Sequence, residues 1–414
     1  MTRNGPARDD PARAARWALA VLTLINFLNY IDRYVLASVF EPIKRELHFS
    51  DSELGWTLSA FMIAYSLTSP VFGRLGDLFT RKYLIAAGVA VWSLATAGAG
   101  LARTFWQMFF PRSLVGIGEA SYATMAPGII TDYYEEKRRG RALAVFYAAI
   151  PAGSALGFVL GGYLSELYGW RSAFFVVGLP GVALALLTLA IREPRRGAAD
   201  SAAGAAAEAP PTLIETYRML WRNRLYRFVS AGFVAYTFAL GGLVGWMPAF
   251  LERYDGMRTA EANQVFGAMT VVSGFLGTFA GGFLGDYLLR YTRNSYLWVS
   301  GLCMFAGAPA AVVALASRSP SVFLPAIFVA EFFLFLNTGP LNAVVLGSVS
   351  PGIRSTAMAV NIFFIHALGD AISPPIIGML SDRFGLFHAT LIAPVFMLAS
   401  GAVLLYAIRF RAAD

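Results

Sequence analysis

Runs of apolar residues long enough to cross a lipid bilayer recur along almost the whole chain. A membrane-spanning helix needs about 20 mostly apolar residues, and 57% of the 414 residues are hydrophobic whereas 14% are charged. A disulfide scaffold is excluded because Cys303 is the only cysteine. The pattern predicts an all-α membrane protein with twelve transmembrane helices, at residues 17–40, 55–72, 83–101, 105–133, 142–164, 173–191, 228–251, 265–288, 296–316, 321–346, 356–380 and 387–408.

The distribution of basic residues predicts how the chain is oriented in the membrane. The connections on the side of the N-terminus contain 23 of the 33 Lys and Arg residues, against eight on the other side. Because cytoplasmic loops are enriched in these residues, we expect both termini in the cytoplasm and the protein in the inner, or plasma, membrane. The net charge of +8 is thus a topology signal, and we expect no nucleic-acid partner.

The longest connection divides the chain into two bundles of six helices. We expect an N-terminal tail at residues 1–16, a first bundle at 17–191, a linker at 192–227, a second bundle at 228–408 and a C-terminal tail at 409–414. The second part of the linker spaces its apolar residues as a helix does, among four arginines; they are Leu213, Ile214, Tyr217, Leu220 and Trp221. This pattern is typical of a helix that lies on an anionic membrane surface.

Three short motifs of the first half recur in the second half in the same order. The first motif comprises Gly73, Leu75, Gly76, Asp77 and Arg81, repeated as Gly282, Leu284, Gly285, Asp286 and Arg290. The other two begin at Arg139 and Arg354, and at Gly162 and Gly378. Parallel halves related by an axis along the membrane normal define one transporter architecture, whose binding site lies at mid-membrane between the halves.

Four ionisable residues interrupt two of the predicted spans. Span one contains Asp32 and Arg33, and span four contains Arg112 and Glu119. A charge in the hydrocarbon costs about 2.5 kcal/mol or more, so each is a functional candidate. Arg112 and Glu119 lie two helical turns apart and share a face, whereas Asp32 and Arg33 point about 100° apart. We therefore predict two cross-helix pairs, Asp32 with Arg112 and Arg33 with Glu119.

These pairs can act as a proton switch. When an arginine turns toward an anionic substrate, the acid that loses its partner takes up a proton. We expect Asp32 and Glu119 to carry the protons, and Arg33 and Arg112 to bind the substrate head group. The alternative is a static network that fixes the packing of spans one and four. Ions buried without a function tend to cost stability, which favours the switch.

The second half has fewer polar residues in its spans. Glu331 lies in span ten, and His366 and Asp370 lie in span eleven. Because a carboxylate that faces lipid is costly, we expect Glu331 and Asp370 to contact the substrate, together with Tyr122 of the first half. A lone histidine in a span is more often a packing residue than a proton relay, so no role is assigned to His366.

Three glycines spaced by four residues mark one face of span five. They are Gly153, Gly157 and Gly161. Such a face of small residues lets two helices approach closely. We expect it to pack between the two bundles.

Several motifs resemble one family of membrane transporters. GRLGDLFTRK at 73–82 resembles the signature loop of the major facilitator superfamily, G-x-L-x-D-x-x-G-R-K/R, with Thr80 in place of the second glycine. NYIDRY at 29–34, SPVFGRLGD at 69–77 and RSLVGIGEASYATMAPGIITD at 112–132 resemble its spinster family. The resemblance implies two pseudo-symmetric six-helix bundles and alternating-access transport of lysophospholipids or sphingoid phosphates. It also implies that the four charges of spans one and four line the central cavity.

The signature loop also predicts a gate at the cytoplasmic edge. A carboxylate there can bond a helix N-terminus, and Arg81 can pair with an acid such as Asp132. In the superfamily this loop holds the bundles together when the cytoplasmic side is shut. The resemblance thus implies gating roles for Gly73, Asp77, Arg81, Asp132, Asp286 and Arg290. The alternative, an orientation signal only, explains the basic residues but not Asp77 and its repeat Asp286.

Motifs of ATP-driven pumps and of common enzymes are missing from the sequence. It contains no G-x-x-x-x-G-K-[ST], no H-E-x-x-H or Cys/His cluster and no G-x-S-x-G. We therefore expect a secondary transporter rather than an enzyme, with no cofactor and no metal. It is expected to act as a monomer whose partners are a lipid-like substrate, protons and membrane lipids. A carrier of another small organic molecule or drug is the alternative, and a membrane-embedded enzyme or lipid receptor is a remoter one.

Overall fold

Helices account for nearly all of the described chain, which confirms the expected all-α membrane fold. The computed structural model describes residues 11–195, 198, 213–350 and 353–411. The first half contains α1 (Pro11–Val35), α2 (Phe40–Leu47), α3 (Asp51–Leu78), α4 (Arg81–Ala99), α5 (Phe105–Tyr133), α6 (Glu136–Tyr168) and α7 (Trp170–Leu189). The second half contains α8 (Leu213–Arg222), α9 (Arg224–Asp255), α10 (Thr259–Leu288), α11 (Ser295–Ala316), α12 (Pro320–Leu336), α13 (Thr338–Gly347), α14 (Arg354–Ile365), α15 (Ser373–Phe384), α16 (Leu386–Thr390) and α17 (Ile392–Ala407).

Ten helical segments of the described chain are long and apolar enough to cross a membrane. The twelve predicted spans include two more, α3 and α5, which have 28 and 29 residues. These two have the length of a span but not its apolar content; α5 carries the buried Arg112 and Glu119. The count of twelve therefore remains a prediction.

Two of the predicted spans are interrupted near their middle. Span ten is split into α12 and α13, with Asn337 between them. Span eleven is split into α14 and α15 by a π-helical turn over His366–Asp370. Pro374 and Pro375 follow at the start of α15, where their missing N–H groups cost no hydrogen bond within the helix. The break in span eleven carries the polar side chains of His366 and Asp370.

The predicted linker contains a helix where apolar residues have helical spacing, since α8 covers Leu213–Arg222. Residues 1–10, 199–212 and 412–414, which belong to the predicted tails and linker, lie outside the described residues. The domain boundaries therefore remain predictions.

The glycine face of span five packs inside the first bundle. An added Cβ at Gly153 would lie 2.6 Å from the carbonyl oxygen of Phe27, and one at Gly157 would lie 2.6 Å from that of Ile31. Both carbonyls belong to α1, so the prediction that this face packs between the bundles was wrong. The backbone of α1 approaches α6 so closely that only glycine fits. The contact between bundles uses the next position, Gly162, which packs against α10.

The two bundles are joined by charged groups at one end of the molecule. We call the end at which α1 begins the near face, and the opposite end, at which α3 begins, the far face. At the far face Arg253 of α9 pairs with Glu41 of α2 at 2.5 Å and with Asp51 of α3 at 2.6 Å. The carboxylate of Asp382 in α15 accepts hydrogen bonds from the backbone N–H groups of Asp51 and Ser52, at 2.8 and 3.0 Å. Ion pairs and a helix cap thus close the far face.

Asp51 is the centre of this closure and lies before the apolar part of α3. Its carboxylate accepts hydrogen bonds from Arg253, from Lys44 at 2.5 Å and from the hydroxyl of Ser381. Burial alone would raise the pKa of Asp51, but these bonds outweigh burial and lower its pKa to about 2. The group is therefore ionised throughout the neutral range.

Candidate functional site

The two predicted charge pairs form between α1 and α5. Arg112 Nη1 donates to Asp32 Oδ1 at 3.1 Å, and each side chain is 1% exposed. Arg33 Nε donates to Glu119 Oε2 at 2.8 Å. The predicted pairing is confirmed, because adjacent residues on α1 point in different directions and meet different residues of α5.

Asp32 has a second partner that sequence reasoning missed. The hydroxyl of Thr96, on α4, donates to Asp32 Oδ2. A threonine in an apolar helix usually bonds its own backbone, so its position in the sequence gave no signal. Asp32 is thus held from two sides, by a guanidinium and by a hydroxyl.

Arg33 is the most exposed member of the network. Its side chain is 15% exposed, whereas that of Glu119 is fully buried. The guanidinium carbon lies 4.9, 5.0 and 5.2 Å from the ring centres of Tyr30, Phe61 and Tyr65. Such cation–π contacts offset part of the loss of hydration. The Arg33 guanidinium therefore lies among three aromatic rings but remains partly exposed.

Two polar atoms of the network have no hydrogen-bond partner among the described residues. They are Arg112 Nε and Glu119 Oε1. Buried polar atoms are nearly always bonded, so such exceptions require an explanation. Glu119 is thus bonded through Oε2 alone, to Arg33.

The second bundle carries a histidine and an acid in the interruption of span eleven. His366 Nδ1 lies 2.9 Å from Asp370 Oδ2 within the π-helical turn, and the two side chains are 25% and 17% exposed. Tyr65 of α3 lies between the bundles, because its ring is 6.3 Å from that of His366 and 5.2 Å from the guanidinium of Arg33. The structure thus connects Asp370 to the first bundle through His366 and Tyr65, a contact that sequence reasoning missed.

Glu331 lies apart from this group, inside the second bundle. Its carboxylate accepts hydrogen bonds from the hydroxyls of Thr270 and Ser273 on α10, at 2.8 and 3.0 Å. It borders a small cavity. The walls of this cavity are mostly apolar side chains of α9, α11 and α12, such as Leu243 and Ala311. Glu331 is therefore the one acid on an otherwise apolar surface.

Tyr122 is enclosed in the core of the first bundle. It is 1% exposed, and its hydroxyl donates to the carbonyl oxygen of Leu22 at 2.6 Å. Its ring packs against Trp92 and Phe146. Because its only polar atom is already bonded, we leave Tyr122 out of the binding site proposed below.

Arg81 joins three segments at the near face. It pairs with Asp132 at 2.7 Å, as the sequence predicted, and with Glu193 at 2.8 Å. The Glu193 carboxylate also accepts from the backbone N–H groups of Arg81 and Lys82, each at 3.1 Å, so it caps the start of α4. Sequence reasoning missed Glu193, which follows α7 and carries no motif.

The other predicted gate residues lie at the near face. Gly73 and Asp77 belong to the last turns of α3. Asp286 accepts a hydrogen bond from the hydroxyl of Tyr296 at 2.6 Å, and the guanidinium of Arg290 lies 5.5 Å from the ring centre of Tyr287. Arg81, Asp286 and Arg290 therefore have partners within their own bundles, and the gating role of the motif remains a prediction.

Comparison with known sequences gives consistent matches over most of the chain. The model of the Major Facilitator Superfamily matches residues 22–374. "Protein spinster homolog 1" of Homo sapiens is 37% identical over 392 residues, which cover 90% of this chain and 74% of that protein. "Protein spinster homolog 3" of Danio rerio is 36% identical over 390 residues, covering 90% and 78%.

Comparison with solved structures also finds a spinster homolog. The crystal structure of a bacterial homolog to the human lysosomal transporter spinster, in an inward-facing and unoccupied conformation, matches with a TM-score of 0.88. That protein is 26% identical, and the match covers 98% of each chain.

Proposed function

This chain belongs to the spinster family of the major facilitator superfamily, and we propose that it is a proton-coupled transporter of an amphipathic, anionic, lipid-like molecule. Its substrate would be of the lysophospholipid or sphingoid phosphate class. The observation that carries this proposal is the paired network of α1 and α5, in which Arg33 is partly exposed while its partner Glu119 is fully buried. Arg33 can therefore turn toward a ligand, whereas Glu119 stays buried.

In the proposed coupling step, Arg33 changes partners. An anionic head group attracts the Arg33 guanidinium and breaks its bond to Glu119. A lone buried carboxylate is far more costly than a neutral carboxyl, so Glu119 takes up a proton. When the head group leaves, Arg33 returns and the proton is released. Asp32, which Arg112 and Thr96 hold, is the second proposed proton carrier.

The surroundings of Arg33 support an amphipathic substrate. The rings of Tyr30, Phe61 and Tyr65 lie beside the cation, so an alkyl chain next to an anionic group finds apolar contact. The cavity that Glu331 borders offers further apolar surface in the second bundle. We propose that Arg33 and Arg112 bind the head group, and that Glu331 and Asp370 line the substrate pathway.

Alternating access would require the two faces to open in turn. We propose that the near face is cytoplasmic, in line with the excess of basic residues there, and that the protein lies in the inner membrane as a monomer. The far face is closed by Arg253 and Asp51. The gate of the near face would be formed by the repeated motif and its partners, namely Gly73, Asp77, Arg81, Asp132, Asp286 and Arg290.

Transport in proteoliposomes tests the coupling step. We expect the uptake of a labelled lysophospholipid to respond to an imposed pH gradient in the natural protein. In Glu119→Gln the neutral amide cannot exchange a proton, so uptake should no longer respond to the gradient. Glu261→Gln, which changes an exposed glutamate of α10, is the matched control and should keep the response. A normal pH response in Glu119→Gln would rule out the coupling step.

Thermal stabilisation of the purified protein tests the substrate class. We expect lysophospholipids and sphingoid phosphates to raise the midpoint of unfolding, because they bind the folded state. Small hydrophilic anions should have little effect, since they lack the alkyl chain. Stabilisation by the hydrophilic anions alone would contradict a lipid-like substrate.

A further inference from the structure

Helix α8 carries an apolar stripe that the described residues leave uncovered. Ile214, Tyr217 and Trp221 share one side of the helix and are 74, 53 and 68% exposed. Thr216 and Leu220, on another side, are each 3% exposed and face the second bundle. The helix is therefore attached by one side and presents a second apolar side outward.

Exposed arginines lie beside this stripe. Arg218 and Arg222 follow around the helix, and Arg224 and Arg227 belong to the first turn of α9. Within the described parts of the chain, none of the four pairs with a carboxylate. The guanidinium of Arg227 lies 5.8 Å from the ring centre of Trp221, so charge and apolar stripe are in direct contact.

The end of α17 extends the same surface. The guanidinium of Arg224 lies 5.9 Å from the ring centre of Phe410, just after α17. Phe410 stacks on Phe228 with ring centres 4.9 Å apart, and the guanidinium of Arg409 lies 5.1 Å from the ring of Tyr406. Aromatic rings alternating with arginines are typical of the boundary between lipid and water.

The position of α8 is fixed by the residue that follows it. Asn223 accepts a hydrogen bond from the backbone N–H of Tyr226 at 3.0 Å and so caps α9. Its amide also donates to the carbonyl oxygen of Ser348 at 2.7 Å. With Leu220 buried against the bundle, α8 is held in this orientation. Its arginines therefore remain beside the apolar stripe.

We propose that α8, the start of α9 and the end of α17 form a binding surface for the anionic head groups of bilayer phospholipids at the near face. The stripe of Ile214, Tyr217 and Trp221 enters the boundary of the acyl chains, and the neighbouring arginines contact lipid phosphates. The unpaired positive charge complements an anionic leaflet. This surface lies on the outside of the second bundle, so it is separate from the site around Arg33 in the first.

Binding of a fluorescent phosphatidylglycerol to the purified full-length protein in a neutral detergent tests this surface. Because each arginine near a lipid surface contributes about fivefold in affinity, Arg218→Gln with Arg222→Gln should weaken binding roughly 25-fold. Replacing the same two arginines by lysine keeps the charge and should retain most of the affinity. A phosphatidylcholine probe should bind weakly to all variants, since it carries no net charge.

Two controls decide where the lipid binds. Arg103→Gln with Arg383→Gln removes two exposed charges from the far face and should leave the affinity unchanged. If this pair weakens binding as much as the α8 pair, the effect is one of total charge and the proposal is wrong. Arg33→Gln should also leave the affinity unchanged. If it abolishes binding, the lipid occupies the substrate site instead, and the proposed surface is wrong.

Discussion

The two bundles hold their buried acids in different ways. In the first bundle Asp32 and Glu119 each face a guanidinium, whereas in the second bundle Glu331 is held by the hydroxyls of Thr270 and Ser273. A guanidinium can be drawn away by an anion and leaves a charge uncompensated, but a hydroxyl carries no net charge to remove. The difference supports the proposal that the exchange of charge takes place in the first bundle.

The internal repeat shows which features the two bundles share and which they do not. The near-face motif is kept in both halves, with Asp77 and Arg81 matched by Asp286 and Arg290. Among the described residues, the buried arginine–carboxylate pairs of the first bundle have no counterpart in the second. The halves therefore share the motif that would form the gate, whereas the described part of the second bundle lacks the arginine–carboxylate network.

The largest effect is expected from breaking a pair of the first bundle. Arg112→Gln leaves Asp32 buried without its cation, which costs about 3–5 kcal/mol of folding free energy. Adding Asp32→Asn removes the lone charge and should restore much of that loss. The midpoint of unfolding in detergent measures the loss in Arg112→Gln and the recovery in the double variant. Arg103→Gln, on the loop before α5, is the control. If Arg112→Gln proves as stable as the natural protein, the pair is not the stabilising unit described here.

A smaller effect is expected at the far face, where ion pairs join the two bundles. Asp51→Asn should cost about 2 kcal/mol, since a pKa lowered from 3.8 to about 2 stabilises the folded state by that amount. A lowered pKa gives its full contribution above the unfolded value and loses it as the pH falls from about 4 to about 2. The cost of Asp51→Asn should therefore be equal at pH 5 and pH 8. A cost that disappears at pH 5 would contradict the low pKa.

The smallest effect is expected from the acid of the second bundle. Glu331→Gln keeps an oxygen that can accept from Thr270 or Ser273, so it should cost about 1 kcal/mol. The response of transport to a pH gradient should be unchanged, in contrast to Glu119→Gln. If instead Glu331→Gln removes that response, the proton is carried in the second bundle, and the comparison between the bundles is reversed.

Much of the fold follows from the sequence because it rests on local patterns. Apolar runs predict helices, and the 100° rotation between neighbouring residues separates Asp32 from Arg33, which is why both pairs could be predicted. Thr96 and Glu193 were missed because a single threonine or glutamate has no distinctive spacing. The prediction of the helix that packs against Gly153 was wrong because the spacing of small residues predicts a close contact but not which helix makes it.

The π-helical turn in span eleven has a consequence for the far face. A turn of this type takes up one residue more than an α-helical turn, so everything after it is rotated by roughly 100° relative to an uninterrupted α-helix. Ser381 and Asp382, which hold the start of α3, point toward it only with this offset. The register of His366–Asp370 therefore sets the alignment of a latch several turns away, and conversion of this turn to regular α-helix would rotate Ser381 and Asp382 away from the start of α3.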